Sequence, residues 1–235
     1  MILIIDFGSQ YNQLIARRVR EHHVYCQIEP PNIDIRRIRA LKPEGIILSG
    51  GPASIYEKGS PKADKRIFDL GVPVLGICYG MQFMVDALGG KVIGAEKREY
   101  GFAELLIGSS AGIFSGIHKK TRCWMSHGDT IGNLPKGFRT TASTPNTKIA
   151  AAENASRKLY GLQFHPEVVH TPHGKKMIEN FLFRICRCKK SWTMESFARD
   201  AVAEIRSQVG KGKVILGLSG GVDSSVAAVA PIFQP

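Results

Sequence analysis

The first ninety residues alternate a short apolar run with a helical stretch four times, and this rhythm constrains the fold more than any other feature. The apolar runs lie at 2–6, 24–28, 45–49 and 72–77. The helical stretches lie at 11–21, 33–41, 62–70 and 81–88. Short runs without polar alternation fit strands buried on both faces. Strands separated by helices fit βαβ units, so the fold class is α/β: a mostly parallel sheet with helices on both faces. Ser60-Pro61 supplies a cap and a first helical position for the third helix. Gly89-Gly90 stops the fourth.

The signal changes after Lys91. Strand-like runs at 104–107, 123–125, 149–152 and 159–164, with turn residues between them, predict a small antiparallel extension. A helix over 174–186 closes a first domain, 1–190. Arg187 to Trp192 is a polar break, and 191–235 reads as the start of a second α/β domain. Met194, Phe197, Ala198, Ala201, Val202 and Ile205 keep helical spacing. Lys213 to Leu218 is one more apolar run, expected to be a strand, and it leads into Ser219-Gly-Gly-Val-Asp-Ser-Ser225.

Composition narrows the function classes. No apolar run approaches the ~20 residues of a membrane-spanning helix. The N-terminus has no basic region before its apolar run and no small-residue cleavage site, so it reads as a strand and the expected compartment is the cytoplasm. Five irregularly spaced cysteines do not form a disulfide framework. Cys186-x-Cys188 lacks a second ligand pair, so no metal site is expected. The net charge of +12 is spread over many segments without aromatic interleaving, which fits solvated helix faces better than a nucleic-acid surface.

The candidate chemistry centres on Gly76-Ile-Cys78-Tyr-Gly80, at the exit of the fourth strand. This is the spacing of a nucleophile elbow, with cysteine in place of serine. A sharp strand-to-helix turn lifts the sulfur above the sheet edge and sets it at a helix N-terminus, where the dipole favours thiolate. By itself the elbow fits a buried, inert thiol equally well. Leu162-Gln-Phe-His165-Pro-Glu167 supplies what a cysteine nucleophile needs. His165 sits at a strand exit, Pro166 favours extended geometry, and Glu167 falls on the same side to orient the imidazole. Backbone donors for an oxyanion are expected from Tyr79 and from the Ser49-Gly50-Gly51-Pro52 turn, which an ordinary tight turn would also explain.

Cys-Tyr-Gly-Met-Gln at 78–82, Leu-Ser-Gly-Gly-Pro at 48–52 and Gln-Phe-His-Pro-Glu at 163–167 resemble the class I (triad) glutamine amidotransferases, a flavodoxin-like fold. Ile-Asp-Phe-Gly-Ser-Gln-Tyr at 5–11 and Trp-Met-Ser-His-Gly-Asp at 124–129 resemble the N-terminal part of the bacterial GMP synthase family within that class. The resemblance implies that Cys78 attacks the glutamine carboxamide, that His165 moves protons and that Glu167 holds His165. It places Gly51 and Tyr79 at the oxyanion, and Gln82, Ser126 and His127 near bound L-glutamine. The expected reaction is glutamine to glutamate and ammonia.

Ser219, Gly220, Gly221, Val222, Asp223, Ser224 and Ser225 would form an anion nest at a helix start, without the Gly-Lys-Ser/Thr of a Walker loop. The run resembles the pyrophosphate loop of N-type ATP pyrophosphatases. That resemblance implies ATP with Mg2+ and XMP as partners of a complete synthetase, and a homodimer. After it the sequence departs from the family: Pro231 would break the helix, and Ala230 to Pro235 matches nothing expected there. The expectation is a truncated second domain without a closed core over 193–235 and without synthetase activity. Two other readings remain: a γ-glutamyl hydrolase or cysteine peptidase on the same fold, and a non-catalytic module that binds a partner synthetase.

Overall fold

The structure is a computed structural model. It describes residues 1–229, less the side chains of residues 96–98, 194, 198, 200 and 229. Two compact units divide the chain, Met1–Ser191 and a second beginning at Trp192.

In the first unit the alternating pattern yields β1 (Ile2–Ile5), α1 (Asn12–Glu21), β2 (Cys26–Glu29), α2 (Ile35–Leu41), β3 (Gly45–Leu48), β4 (Val74–Ile77) and α3 (Tyr79–Ala87). The strands β5 (Lys91–Ile107), β6 (Lys120–Asn133), β7 (Arg139–Ser143), β8 (Ala151–Asn154) and β9 (Leu159–Leu162) follow, then α4 (Gly174–Asn180). They form one sheet in the order β2-β1-β3-β4-β9-β8-β7-β5-β6. The first five strands in that order run parallel and the rest pair antiparallel.

The two-residue period of a strand divides the core between the sheet's faces. Ile2, Ile4, Ile47, Leu75 and Ile77 pack with α1 and α4 residues such as Ile15, Val19, Met177 and Ile178. Leu3, Ile5, Ile46, Leu48 and Val74 pack with Ile35 and Ile38 of α2 and with Met81, Met84 and Val85 of α3. A sheet covered on both faces cannot tolerate polar alternation in its central strands, which is why those runs read as continuous apolar segments.

Several expectations need correction. The stretch 62–70 is no α-helix; only Lys65–Asp69 turns, as a 3-10 helix. Asp64 caps it by accepting from the Arg66 N–H at 2.9 Å, in place of the expected Ser60-Pro61 start. In the antiparallel extension β5 and β6 are long partners, interrupted by register shifts between Lys91 and Val92 and between Gly94 and Glu99. The run expected there at 159–164 is β9, which pairs parallel with β4 because its apolar residues are buried beside that central strand. Strand β7 carried no apolar run to reveal it. The helix after Gly174 passes into a π-helical turn at Phe181–Ile185.

The second unit holds α5 (Met194–Val209), opened by a Thr193–Ser196 capping box, and α6 (Val222–Val229). The run 213–218 is not a strand. A strand needs a partner for its backbone groups, and the described residues of this unit supply none. Ile215 and Leu218 stand exposed. The Pro231 helix break and the departing tail, Ala230 to Pro235, lie outside the described residues.

Candidate active site

β4 delivers the chain to Cys78, and the turn there is tight. Cys78 holds φ 50°, ψ −108°, a conformation that L side chains rarely adopt. Its N–H donates to the Leu162 carbonyl of β9 at 2.7 Å, and its own carbonyl accepts from Met81 and Gln82 in the first turn of α3. The flanking glycines follow from the same crowding. A Cβ on Gly80 would stand 2.4 Å from the Leu48 carbonyl oxygen, and one on Gly76 would stand 2.7 Å from the Gly80 backbone. The elbow therefore presses α3 against β3 as it turns. The Gly80 N–H donates to the Ser49 carbonyl at 3.0 Å, which ties the elbow to the Ser49-Gly50-Gly51 turn.

The thiol is nearly buried. It donates toward the Ser126 carbonyl of β6 at 3.5 Å, and Gln163 Nε2 donates toward the sulfur at 3.8 Å. His165, just past β9, contacts the same thiol. His165 Nδ1 lies 2.7 Å from Glu167 Oε1, and Glu167 is fully buried. Other groups fix this loop. The His165 N–H donates to the Trp124 carbonyl at 3.0 Å, and Thr171 Oγ1 donates to the His165 carbonyl at 2.7 Å. Arg18 Nε donates to the Glu167 carbonyl at 2.9 Å. Tyr11 packs its ring edge on the imidazole at 5.4 Å between centroids.

Electrostatics favour a charged imidazole here. Burial works against the cation, but the Glu167 carboxylate and the Cys78 thiol outweigh it and hold His165 well above the ordinary histidine range. Glu167 Oε2 has no hydrogen-bond partner among the described residues. The carboxylate's charge is thus directed to a single neighbour, the His165 ring.

Cys78, His165 and Gly51 open on a cavity of about 620 Å³, a size suited to a small-molecule ligand. Ser126, His127 and Gln82 line it too, as do Tyr11, Tyr100 and Asp129. Among the described residues, the N–H groups of Gly51 and Tyr79 have no acceptor, which leaves both free for a developing oxyanion. A Cβ on Gly51 would meet the Phe7 carbonyl oxygen at 2.6 Å, so the close turn admits no side chain. Gln82 is largely engaged: its Nε2 donates to the Asp129 carbonyl at 3.0 Å and reaches Gln163 Oε1 at 3.5 Å. Burial holds the His127 ring below the ordinary histidine range, against the pull of Glu99.

The first unit therefore brings together Cys78, His165, Glu167, Gly51, Tyr79, Gln82, Ser126 and His127, drawn from the ends of separate strands and the loops beside them. Ser219 to Ser225 belongs to the second unit. There Ser219 Oγ and Ser224 Oγ lie 3.0 Å apart, and Ser224 Oγ donates to the Gly221 carbonyl at 3.0 Å, at the start of α6. Sequence reasoning missed Gln163, Thr171, Arg18 and Tyr11. Gln163 was legible in part, since it precedes His165 by two residues in the same motif. Arg18 and Tyr11 act across long sequence separations, and Thr171, six residues past His165, carried no motif of its own.

Residues 3–185 match the family described as Glutamine amidotransferase class-I. A protein named GMP synthase [glutamine-hydrolyzing] from Brachyspira hyodysenteriae is 57% identical over 228 residues, as is its namesake from Heliobacterium modesticaldum. Each match covers 97% of this chain but 44% of the relative, so the chain spans less than half the length of the curated relatives it matches. Among solved structures, a candidate GMP synthase component from Thermoplasma acidophilum is 35% identical with a TM-score of 0.73, covering 79% of this chain and 93% of that one. A glutamine amidotransferase from Thermotoga maritima, 22% identical with a TM-score of 0.58, shares the fold; the match covers 85% of this chain and 90% of that one. The chain belongs to the class-I glutamine amidotransferase family.

Proposed function

We propose that this class-I glutamine amidotransferase chain hydrolyses L-glutamine to glutamate and ammonia through a thioester on Cys78. The observation that carries the reading is the 2.7 Å His165–Glu167 contact beside a strained, cavity-facing cysteine. The Cys78 sulfur attacks the carboxamide carbon, and the carbonyl oxygen takes up the negative charge between the Gly51 and Tyr79 N–H groups. His165 then gives its proton to the leaving nitrogen, the C–N bond breaks, and ammonia departs. A water molecule, deprotonated by His165, attacks the thioester; the C–S bond breaks and glutamate leaves. Glu167 keeps the ring oriented and stabilises its charge in both steps. Gln82, Ser126 and His127, which line the same cavity, lie near the bound glutamine.

The destination of the ammonia is part of the same proposal. The relatives named GMP synthase support a role in supplying ammonia for ATP-dependent amination of XMP to GMP. We assign Ser219, Gly220, Gly221, Val222, Asp223, Ser224 and Ser225 to ATP with Mg2+, as the start of an ATP pyrophosphatase domain over 191–235. In a complete synthetase ATP would supply the adenylyl group that activates XMP. A homodimeric assembly and a cytoplasmic setting go with this reading; five free cysteines suit a reducing compartment. No helix among the described residues is long and apolar enough to cross a membrane.

Ammonia release from glutamine by the wild-type chain and by Cys78→Ala tests the first part. Activity in wild type that vanishes in Cys78→Ala supports it, and activity that survives the substitution contradicts it. Equilibrium dialysis of labelled ATP with Mg2+ against the wild-type chain and Asp223→Ala tests the second. Equal retention by both chains, or retention by neither, contradicts the ATP assignment.

A further inference from the structure

Glu99 is a buried carboxylate on β5 with no part in the chemistry above. No lysine or arginine among the described residues pairs with it. Neutral donors meet its charge instead. Thr144 Oγ1 donates to Oε1 at 3.0 Å, Thr147 Oγ1 donates to Oε2 at 2.6 Å, and Asn146 Nδ2 donates to Oε1 at 3.4 Å. The fourth neighbour is His127, whose Nε2 stands 3.7 Å from Oε2.

The turn that supplies the donors does not need Glu99 to close. The Thr144 N–H donates to the Thr147 carbonyl at 2.8 Å, and the Thr147 N–H donates to Thr144 Oγ1 at 2.9 Å. A buried carboxylate without a cation carries a desolvation penalty, which the donors from Thr144, Asn146 and Thr147 offset. What else the carboxylate touches points to a further use. Glu99 and His127 are direct cross-strand partners in the β5–β6 pair, so their side chains stand side by side. Of the four groups around the carboxylate, His127 alone lines the Cys78 cavity. Neither ring nitrogen of His127 completes a well-formed hydrogen bond among the described residues, and besides Glu99 the Asp129 backbone stands near the ring.

We propose that Glu99 is a positioning residue for glutamine binding: it fixes the proton and the ring orientation of His127 at the cavity wall, with the 144–147 turn as its clamp. A carboxylate facing Nε2 calls for an N–H there, and a ring held at one nitrogen presents a fixed edge to the ligand. The pairing repeats the logic of His165, which lines the same cavity, and Glu167. The 3.7 Å separation closes when glutamine fills the cavity, as site hydrogen bonds tighten on ligand binding. This inference rests on the glutaminase reading and names a residue that reading does not use.

The test measures KM and kcat for glutamine in the full chain with Glu99→Gln, His127→Asn and both together. Glu99→Gln is expected to raise KM about tenfold with kcat changed less than about twofold, since it weakens a contact to a charged acceptor. In the His127→Asn background it should raise KM no further, because the two residues act as one unit. An unchanged KM in folded Glu99→Gln, or effects that add fully in the double variant, would overturn the proposal. Should Glu99→Gln fail to fold, Thr147→Val in the same two backgrounds decides it by the same criterion. Calorimetric binding of glutamine to chains that also carry Cys78→Ala gives the comparison without turnover. Loss of the glutaminase reading and loss of the Glu99 coupling are thereby separate results.

Discussion

Gly50 packs so closely on His165 that a Cβ added to it would stand 3.0 Å from the ring's Cε1 and 3.7 Å from the Cys78 Cβ. The glycine holds no left-handed conformation; it is small because the nucleophile and its base meet over it. Gly50→Ala is expected to push the imidazole away from the thiol. A displacement of about 1 Å at reacting groups can cost on the order of 10²-fold in rate. Glutaminase kcat should fall by about that factor while the melting temperature stays close to wild type. An active Gly50→Ala chain would mean that His165 does not serve Cys78 from this position.

Gly80→Ala should act on stability instead. Its Cβ would stand 2.4 Å from a backbone oxygen of β3, and neither element can retreat without disturbing the sheet. Overpacking against backbone costs about 1–3 kcal/mol or more. Denaturant unfolding, followed by far-UV circular dichroism, should show a loss of that order.

The pH dependence of His165 follows from its neighbours. Burial opposes its charge, yet Glu167 and Cys78 raise its pKa well above 6.5. A raised histidine favours the folded, protonated state. That contribution is complete below the unfolded histidine value near 6.5 and is lost as pH rises through the folded value. Carbon-13 NMR of the labelled ring should find imidazolium at neutral pH. Glu167→Gln should bring the titration down and cut glutaminase activity about 10²-fold. A ring that titrates normally in the wild type would remove the electrostatic part of the mechanism.

Glu21 predicts an opposite dependence at acid pH. Burial works against its charge, but Lys175 and Arg18 outweigh it and bring its pKa to about 2. Lys175 Nζ lies 3.0 Å from Glu21 Oε2, which bridges α1 and α4 beside the Glu167 loop. A depressed carboxylate contributes stability above its unfolded value near 4.5, and the contribution is lost as pH falls through the folded value. The melting-temperature gap between wild type and Glu21→Gln should therefore be present at pH 6 and shrink below about pH 3. A gap that persists unchanged in acid would contradict the bridge.

Much of this was legible in the sequence for a definite reason. The parallel strands β1, β3 and β4 are buried on both faces, so their apolar runs announce themselves, whereas β9 was expected in the antiparallel extension and instead pairs parallel with β4. The elbow was legible because Gly76 answers to the Gly80 and Met81 backbone just past Cys78, while the contact that requires Gly80, with Leu48 of β3, exists only in the fold. The strand expected at 213–218 shows the limit: apolar residues say that a segment prefers burial, while a strand exists only where another strand receives its hydrogen bonds. The helix expected at 62–70 begins late, because Asp64 stays extended and caps the turn by accepting from the Arg66 N–H, a local preference that periodicity does not register. Arg18 and Tyr11 were invisible because each reaches the site from a distant part of the chain, and Thr171, six residues past His165, because its role depends on the turn between them. Glu99 was invisible for a related reason, since its meaning depends on the β5–β6 register.

The central claim is that Cys78 carries the γ-glutamyl group. The most direct measurement is intact mass spectrometry of the chain quenched in acid during turnover of glutamine, with peptide mapping of any adduct. The expected result is a mass gain of one γ-glutamyl group on the peptide that contains Cys78, absent from Cys78→Ala. Ammonia release without any adduct on that peptide, or with the adduct elsewhere, would contradict the account.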